Sequence, residues 1–305
     1  MNKKLPLVAA LLGAMVLTGC STVPESQWQY NDRYSRAHNI ATTFQYHEGI
    51  SDTDAPEGYQ GDGSFLLEGA SFAASLDAAS KINGFLPGIS GWGAVGFGLL
   101  GGVINAVGES VQPQNNTGFF GYLPVEKAKD EAEARKLMTQ EMGKILAKSV
   151  KDFLPNAEIS YEGDFGWKKS FLLNDSYGLL YNVIDPKIGC MKWDDNAKKN
   201  DKVCSITLLT EKVEKVDGIH PMFNNADRTY YKLVHNKTGE MIDVNDRLAE
   251  RMDVAKWLAN ASKYLPEKMF IYVPPMKNAD KKDSPRMVIE KDRVDLFIKP
   301  PKKKN

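Results

Sequence analysis

The side chains in this 305-residue chain best suited to chemistry are three cysteines, Cys20, Cys190 and Cys204, and four histidines, His38, His47, His220 and His235. Thiols serve as nucleophiles, metal ligands or disulfide partners, and imidazoles as acid–base groups or metal ligands. Spacing narrows these options. No two histidines stand at helical ligand spacing, and no HExxH, P-loop, EF-hand or CxxC pattern occurs, so neither a metal nor a cofactor is expected. Asp194-Asp195-Asn196 lacks the glycine and distal glutamate of a calcium loop and reads as a solvated hairpin tip. Gly91-Trp92-Gly93-Ala94-Val95-Gly96 spells a dinucleotide fingerprint but follows Leu86-Pro87-Gly88 instead of a strand. Gly69-Ala70-Ser71-Phe72-Ala73 approximates a nucleophile elbow with alanine where the last glycine belongs. No catalytic residue is assigned from these patterns.

Cys20 stands in a setting unlike the other two thiols. Lys3 and Lys4 precede an apolar run from Leu5 to Leu17, followed by Thr18-Gly19-Cys20. The run is too short to span a bilayer and has the layout of an export signal. Leu17-Thr18-Gly19-Cys20 resembles the lipobox of bacterial lipoproteins. The resemblance implies cleavage before Cys20, acylation of its thiol and membrane anchoring by several acyl chains. Ser21 instead of aspartate implies onward transport to the outer membrane, with the body facing the periplasm. An ordinary secretory signal containing a cysteine is the competing reading.

With Cys20 acylated, Cys190 and Cys204 remain as an even pair flanking a very polar stretch, Met191 to Val203. The pair suits a disulfide in an oxidising compartment. It would close a loop of about 15 residues, worth about 3 kcal/mol in the chain-entropy model. Two free thiols are the competing reading, and zinc is disfavoured because no second ligand pair lies at suitable spacing.

The elements that must position these residues follow from pattern. Beyond the signal (1–19), about 285 residues suffice for a substantial core. Residues 20–64 read as a polar, aromatic-dotted tether that partly packs on the body. Residues 65–123 read as a glycine-rich apolar segment, 124–276 as an α+β domain, and 277–305 as a terminal hairpin and basic tail. The clearest helix starts near Pro124 and ends at Pro155, with Ala132, Leu137, Met138, Met142, Ile145, Leu146, Val150 and Phe153 at three- and four-residue spacing. Strands are expected at 157–162, 178–184, 204–213, 229–235 and 269–273, and a hairpin whose arms flank Lys291-Asp292-Arg293. One further helix is expected from Asp243 or Asn245 to Pro266. The expected fold is therefore α+β, mainly antiparallel strands with two amphipathic helices.

Charge is balanced overall, which argues against nucleic acid as a partner. It is unevenly spread: residues 21–125 carry Arg33, Arg36 and Lys81 against ten acidic residues, whereas the end, Lys299-Pro300-Pro301-Lys302-Lys303-Lys304-Asn305, is polycationic. Such an end is either a solvated tail or a contact for anionic lipid or cell-wall polymer.

No charged residue lies between Lys81 and Glu109, and Ser90, Ala94, Gly98, Gly102 and Ala106 recur every four residues beside Val95, Leu99, Val103 and Val107. On a helix these small residues line a groove that admits a second backbone. The alternative is a buried glycine-rich hairpin, since glycine costs a helix in water about 1 kcal/mol per residue. The stretch resembles the glycine-zipper segments of bacterial envelope lipoproteins, including the TraT-type surface-exclusion lipoproteins. The expected function is that of an outer-membrane lipoprotein, non-enzymatic, binding or scaffolding an envelope assembly through self-association or partner proteins. A periplasmic hydrolase acting on cell-wall or envelope polymer is the alternative, because active sites assembled from distant residues leave no motif.

Overall fold

The computed structural model describes residues 30–44, 50–54, 63–66, 116–165, 176–192, 202–218, 228–234, 241–277 and 283–301. The signal, Cys20, and Ser90, Ala94, Gly98, Gly102 and Ala106 of the glycine-rich stretch lie outside these residues.

Helix α1 (Arg36–Thr43) and strand β1 (Ser64–Leu66) come first, then β2 (Gly118–Pro124) and the long helix α2 (Glu131–Phe153). There follow β3 (Glu158–Phe165), β4 (Tyr177–Ile184), β5 (Cys204–Thr210), β6 (Val213–Asp217), β7 (Thr229–Leu233) and β8 (Ile242–Val244). Helices α3 (Asp246–Ala249) and α4 (Val254–Asn260) precede β9 (Met269–Val273), β10 (Met276–Lys277), β11 (Asp283–Ser284), β12 (Met287–Glu290) and β13 (Arg293–Leu296). Seven strands form one sheet in the order β1-β13-β12-β9-β2-β7-β6, four form a second in the order β3-β4-β5-β8, and β10 pairs with β11. Neighbours run antiparallel throughout. The fold is α+β.

Alternation along β9 shows how the larger sheet is built. Met269, Ile271 and Val273 join an aliphatic core with α2 and the second sheet. Phe270 and Tyr272 point the other way, into a separate cluster with α1. Both faces are thus covered, and all five residues are buried.

Helix α2 lies against strands of both sheets and against α4. Its start is fixed by reciprocal side-chain caps: Asp130 accepts from the Glu133 amide at 2.8 Å, and the Glu133 carboxylate accepts from the Lys129 amide at 2.8 Å. Ala134, Met138, Met142, Ile145, Leu146 and Val150 form its buried stripe. Gly143 allows close approach of β4, since a Cβ there would stand 2.6 Å from the Tyr181 hydroxyl.

Several sequence expectations are corrected in detail. The long helix begins at Glu131, not near Pro124: Pro124 ends β2, and Val125–Lys127 form a 3-10 turn before the Asp130 cap. The run 204–213 is two strands, because the chain leaves the four-stranded sheet at Thr210 and enters the seven-stranded one at Val213. The single helix expected up to Pro266 is α3, α4 and a 3-10 turn at Ala261–Tyr264, since Asp253 caps a new helix by accepting from the Lys256 amide. The boundary drawn at 276/277 falls between strands that pair directly, β9 with β12, and that at 123/124 cuts the last residue from β2.

Candidate functional site

Residues 30–44 and 50–54, inside the expected tether of 20–64, are fixed to the larger sheet by a network of polar side-chain contacts. Helix α1 packs on β12 and β13. Ala37, Ile40, Ala41 and Phe44 supply its apolar contacts, with Phe44 stacked on Phe120 at 4.3 Å between centroids. Its buried Asn39 and Thr43 are satisfied, as burial demands. Thr43 donates to the Asn39 carbonyl at 2.9 Å. Asn39 donates to the carbonyls of Asn31 and Ser35 and accepts from the Asn31 amide, which fixes the turn leading into the helix.

Arg36 is gripped by two acids. Its Nη1 lies 2.5 Å from Asp295 and 2.6 Å from Glu290, and Nη2 donates to the second Glu290 oxygen at 3.0 Å. Asp295 is 1% exposed and also accepts from Ser64 Oγ at 2.5 Å, which ties β1 into the same cluster. Burial opposes the Arg36 charge, but Asp295 and Glu290 outweigh it and raise its pKa. Burial likewise pushes the Glu290 carboxyl up, against the pull of Arg36.

Asp52 makes the second grip. It accepts from the Ser35 amide and from Ser35 Oγ, each at 2.6 Å, and His38 Nδ1 lies 3.7 Å from it. Serine, histidine and aspartate therefore converge here, but in the wiring of a helix cap. Ser35 Oγ donates to the carboxylate and accepts from the His38 amide at 3.0 Å, whereas an activated nucleophile donates to imidazole. The His38 ring stacks on Tyr34 at 4.2 Å. Burial lowers the His38 pKa, Asp52 partly opposes this, and Arg286 adds to it.

On the opposite side of the sheet, the Cys190 and Cys204 sulfurs stand at disulfide distance, with Cα atoms 5.3 Å apart, and both residues are fully buried in the α2-side core. The turn before Cys190 is built by Gly189 in the left-handed region, φ 79°. Asp185 and Cys190 exchange two backbone hydrogen bonds of 3.0 Å. The pair staples this turn to the first residue of β5. Asp194, Asp195 and Asn196, in the enclosed loop, lie outside the described residues.

Two further titratable groups stand out. Asp164 is exposed and accepts from the Tyr161 and Tyr177 hydroxyls at 2.7 and 3.1 Å, bonds that hold its pKa down, Tyr161 foremost. Asp243 is pushed up to about 6 by burial and by the charge of Asp246.

Among the described residues, no group of three His, Cys, Asp or Glu is arranged to hold a metal ion, and no helix is long and apolar enough to cross a membrane. Sequence reasoning did not single out Arg36, Asp52 or Asp295. A usable signal was present for two of them: Arg36 is one of three basic residues in residues 21–125, and Asp295 interrupts the apolar pair Val294 and Leu296. No family model, no curated protein and no solved structure matches this chain.

Proposed function

We propose that this chain is a non-enzymatic outer-membrane lipoprotein, anchored through acylated Cys20, whose periplasm-facing α+β body binds or scaffolds an envelope assembly. The observation that carries the reading is the sequence ending Leu17-Thr18-Gly19-Cys20, placed directly before a body that is fixed from its first described residues onward. Tyr30 follows Cys20 by ten residues, and ten extended residues reach at most about 35 Å. The cap at Ser35 and the grip on Arg36 hold that entry segment to the sheet, as a body carried on a short tether requires. The Cys190–Cys204 geometry fits an oxidising compartment. Self-association through the groove of Ser90, Ala94, Gly98, Gly102 and Ala106 is the proposed mode of assembly.

Cys20→Ser tests the anchor. It is expected to leave an unprocessed, unacylated precursor, read by mass and by loss of detergent-phase partitioning. Normal maturation with unchanged membrane retention in that variant overturns the proposal.

A further inference from the structure

The outer strand of the smaller sheet, β3, is interrupted in a way that changes which of its side chains share a face. Tyr161 pairs with Tyr181 and Gly163 with Leu180, so Glu162 is one residue more than the partner strand matches. Gly163 stands at φ 131°, and a Cβ on it would meet nothing within 4 Å, so the backbone and not packing demands glycine there. In unbroken alternation Tyr161 and Asp164 would point to opposite sides. The bulge instead sets Asp164 opposite Leu179 and Tyr161 opposite Tyr181, and both of these partners face the α2 core, as does Tyr177. The result is one connected array. Gln140 Nε2 of α2 donates to the Tyr177 hydroxyl at 3.1 Å, and Tyr177 donates to one Asp164 oxygen at 3.1 Å. Tyr161 donates to the other oxygen at 2.7 Å, with its ring centre 5.4 Å from that of Tyr181. Tyr161 is 50% exposed and Asp164 is exposed beside it.

We propose that this array is a binding site for a neutral polysaccharide chain, with one pyranose ring seated against Tyr161. The inference goes beyond the anchor and scaffold reading and stands independently of it, since every residue in it belongs to the folded body. Stability does not account for the array, because polar contacts in water replace bonds to solvent and contribute little. Its chemistry matches a sugar. The electron-rich face of a tyrosine ring attracts the weakly positive axial C–H groups of a pyranose. An ionised carboxylate has about four acceptor positions, so Asp164 can hold both tyrosine hydroxyls and still accept from a sugar hydroxyl. Gln140 and the phenols both donate and accept, as sugar hydroxyls do. Charge selects a neutral ligand. Lys136 Nζ lies 6.0 Å from the Tyr177 ring centre, and its charge joins the Tyr161 and Tyr177 hydroxyls in holding the Asp164 carboxyl down. A cation is therefore already in place beside the acid, and an ionic ligand gains less there than one that offers hydroxyls and a flat C–H face.

The test uses the full chain in a polyoxyethylene detergent, which carries no sugar, with chitotetraose, maltotetraose and tetralysine as probes. Saturation-transfer NMR reads which probe binds, and titration gives the affinity. One or both tetrasaccharides are expected to bind; a preference for chitotetraose points to an amino-sugar polymer and a preference for maltotetraose to a plain hexose polymer. Tyr161→Ala should weaken binding about tenfold, the upper end of what an aromatic contact contributes. Asp164→Ala should weaken it about fivefold, as loss of a hydrogen bond does. Amide exchange in α2 should be unchanged in both variants, which separates loss of the site from loss of the fold. Tyr30→Ala, at an exposed tyrosine outside the array, should bind as the wild type does. Binding of neither tetrasaccharide, or affinity unchanged in both Tyr161→Ala and Asp164→Ala, overturns the site. Binding of tetralysine alone, lost in Asp164→Ala, overturns the sugar assignment in favour of a cationic partner segment.

Discussion

On one face of the seven-stranded sheet, a 23-residue helix and a second sheet bury an aliphatic core. On the other, an eight-residue helix lies over aromatic rings and is pinned by Arg36, Ser35 and their acids. A helix of eight residues has no independent stability in water, so α1 persists because specific side chains hold it. Helix α2 instead shares its core with strands of both sheets, and nothing on that face can open without exposing all of it. One face is therefore cooperative with the whole body and the other is separable from it. The separable face carries the segment that leads toward the expected anchor.

The largest expected effect lies on the α2 face. Leu146 is 1% exposed in the core between the sheets, and Leu146→Ala should cost about 2–5 kcal/mol. Denaturant unfolding should remain a single transition, with hydrogen exchange accelerated in both sheets. Separate melting of the four-stranded sheet would break the comparison, because it would show that α2 does not couple the two.

Asp295→Asn probes the α1 face and should do something smaller and more local. Breaking a buried ion pair costs about 3–5 kcal/mol, but Arg36 is 22% exposed and keeps Glu290, so about 2 kcal/mol is expected after solvent screening. Exchange should quicken in α1 and at β1, which the same carboxylate holds through Ser64, while α2 stays protected. Loss of α2 protection in this variant would show that the clasp is integral to the main core.

The two faces also differ in how much of them the sequence revealed. Strand β9 was readable at its observed limits, because Met269 to Val273 is a continuous apolar run before Pro274. The β12–β13 hairpin was readable from its arms, although the two-residue turn is Lys291-Asp292, with Asp292 in the left-handed region at φ 54°. The α2 stripe showed in its spacing from Met138 to Val150, whereas Ala132 and Leu137 of the expected stripe are exposed and Ala134 takes the first buried position. Helix α1 did not, since Asn39 and Thr43 are polar residues buried with their hydrogen bonds made to the helix backbone and the turn before it, and no periodicity records that. Strand β2 was absorbed into the glycine-rich segment because Gly118 and Gly121 weaken a strand pattern. Gly121 is there for close packing: a Cβ would stand 2.6 Å from the carbonyl oxygen of Lys268, the residue before β9. The clasp itself joins residues more than 250 positions apart, a separation that only topology resolves.

The smallest expected effect sharpens the comparison by giving the α1 face a pH dependence of its own, carried by a histidine. His38 is largely buried against Tyr34, and burial lowers its pKa from the usual 6.5, with Arg286 adding to the shift and Asp52 opposing it. A lowered folded-state pKa means that the unfolded chain takes up the proton first as pH falls. The stability tied to neutral His38 is therefore complete above about 6.5 and is lost as pH drops through the lower folded value. His38→Phe keeps a ring for Tyr34 and removes the titration. The difference in stability between wild type and His38→Phe should be flat above about pH 7 and should shift in favour of the variant below about pH 6. Glu290 lies in the same clasp and titrates from above the ordinary carboxylate range, but it is present in both proteins and cancels in the difference. Local proteolysis before Arg36 should follow the same curve if the loss is confined to α1. A wild-type minus variant difference that is independent of pH would show that His38 contributes packing alone.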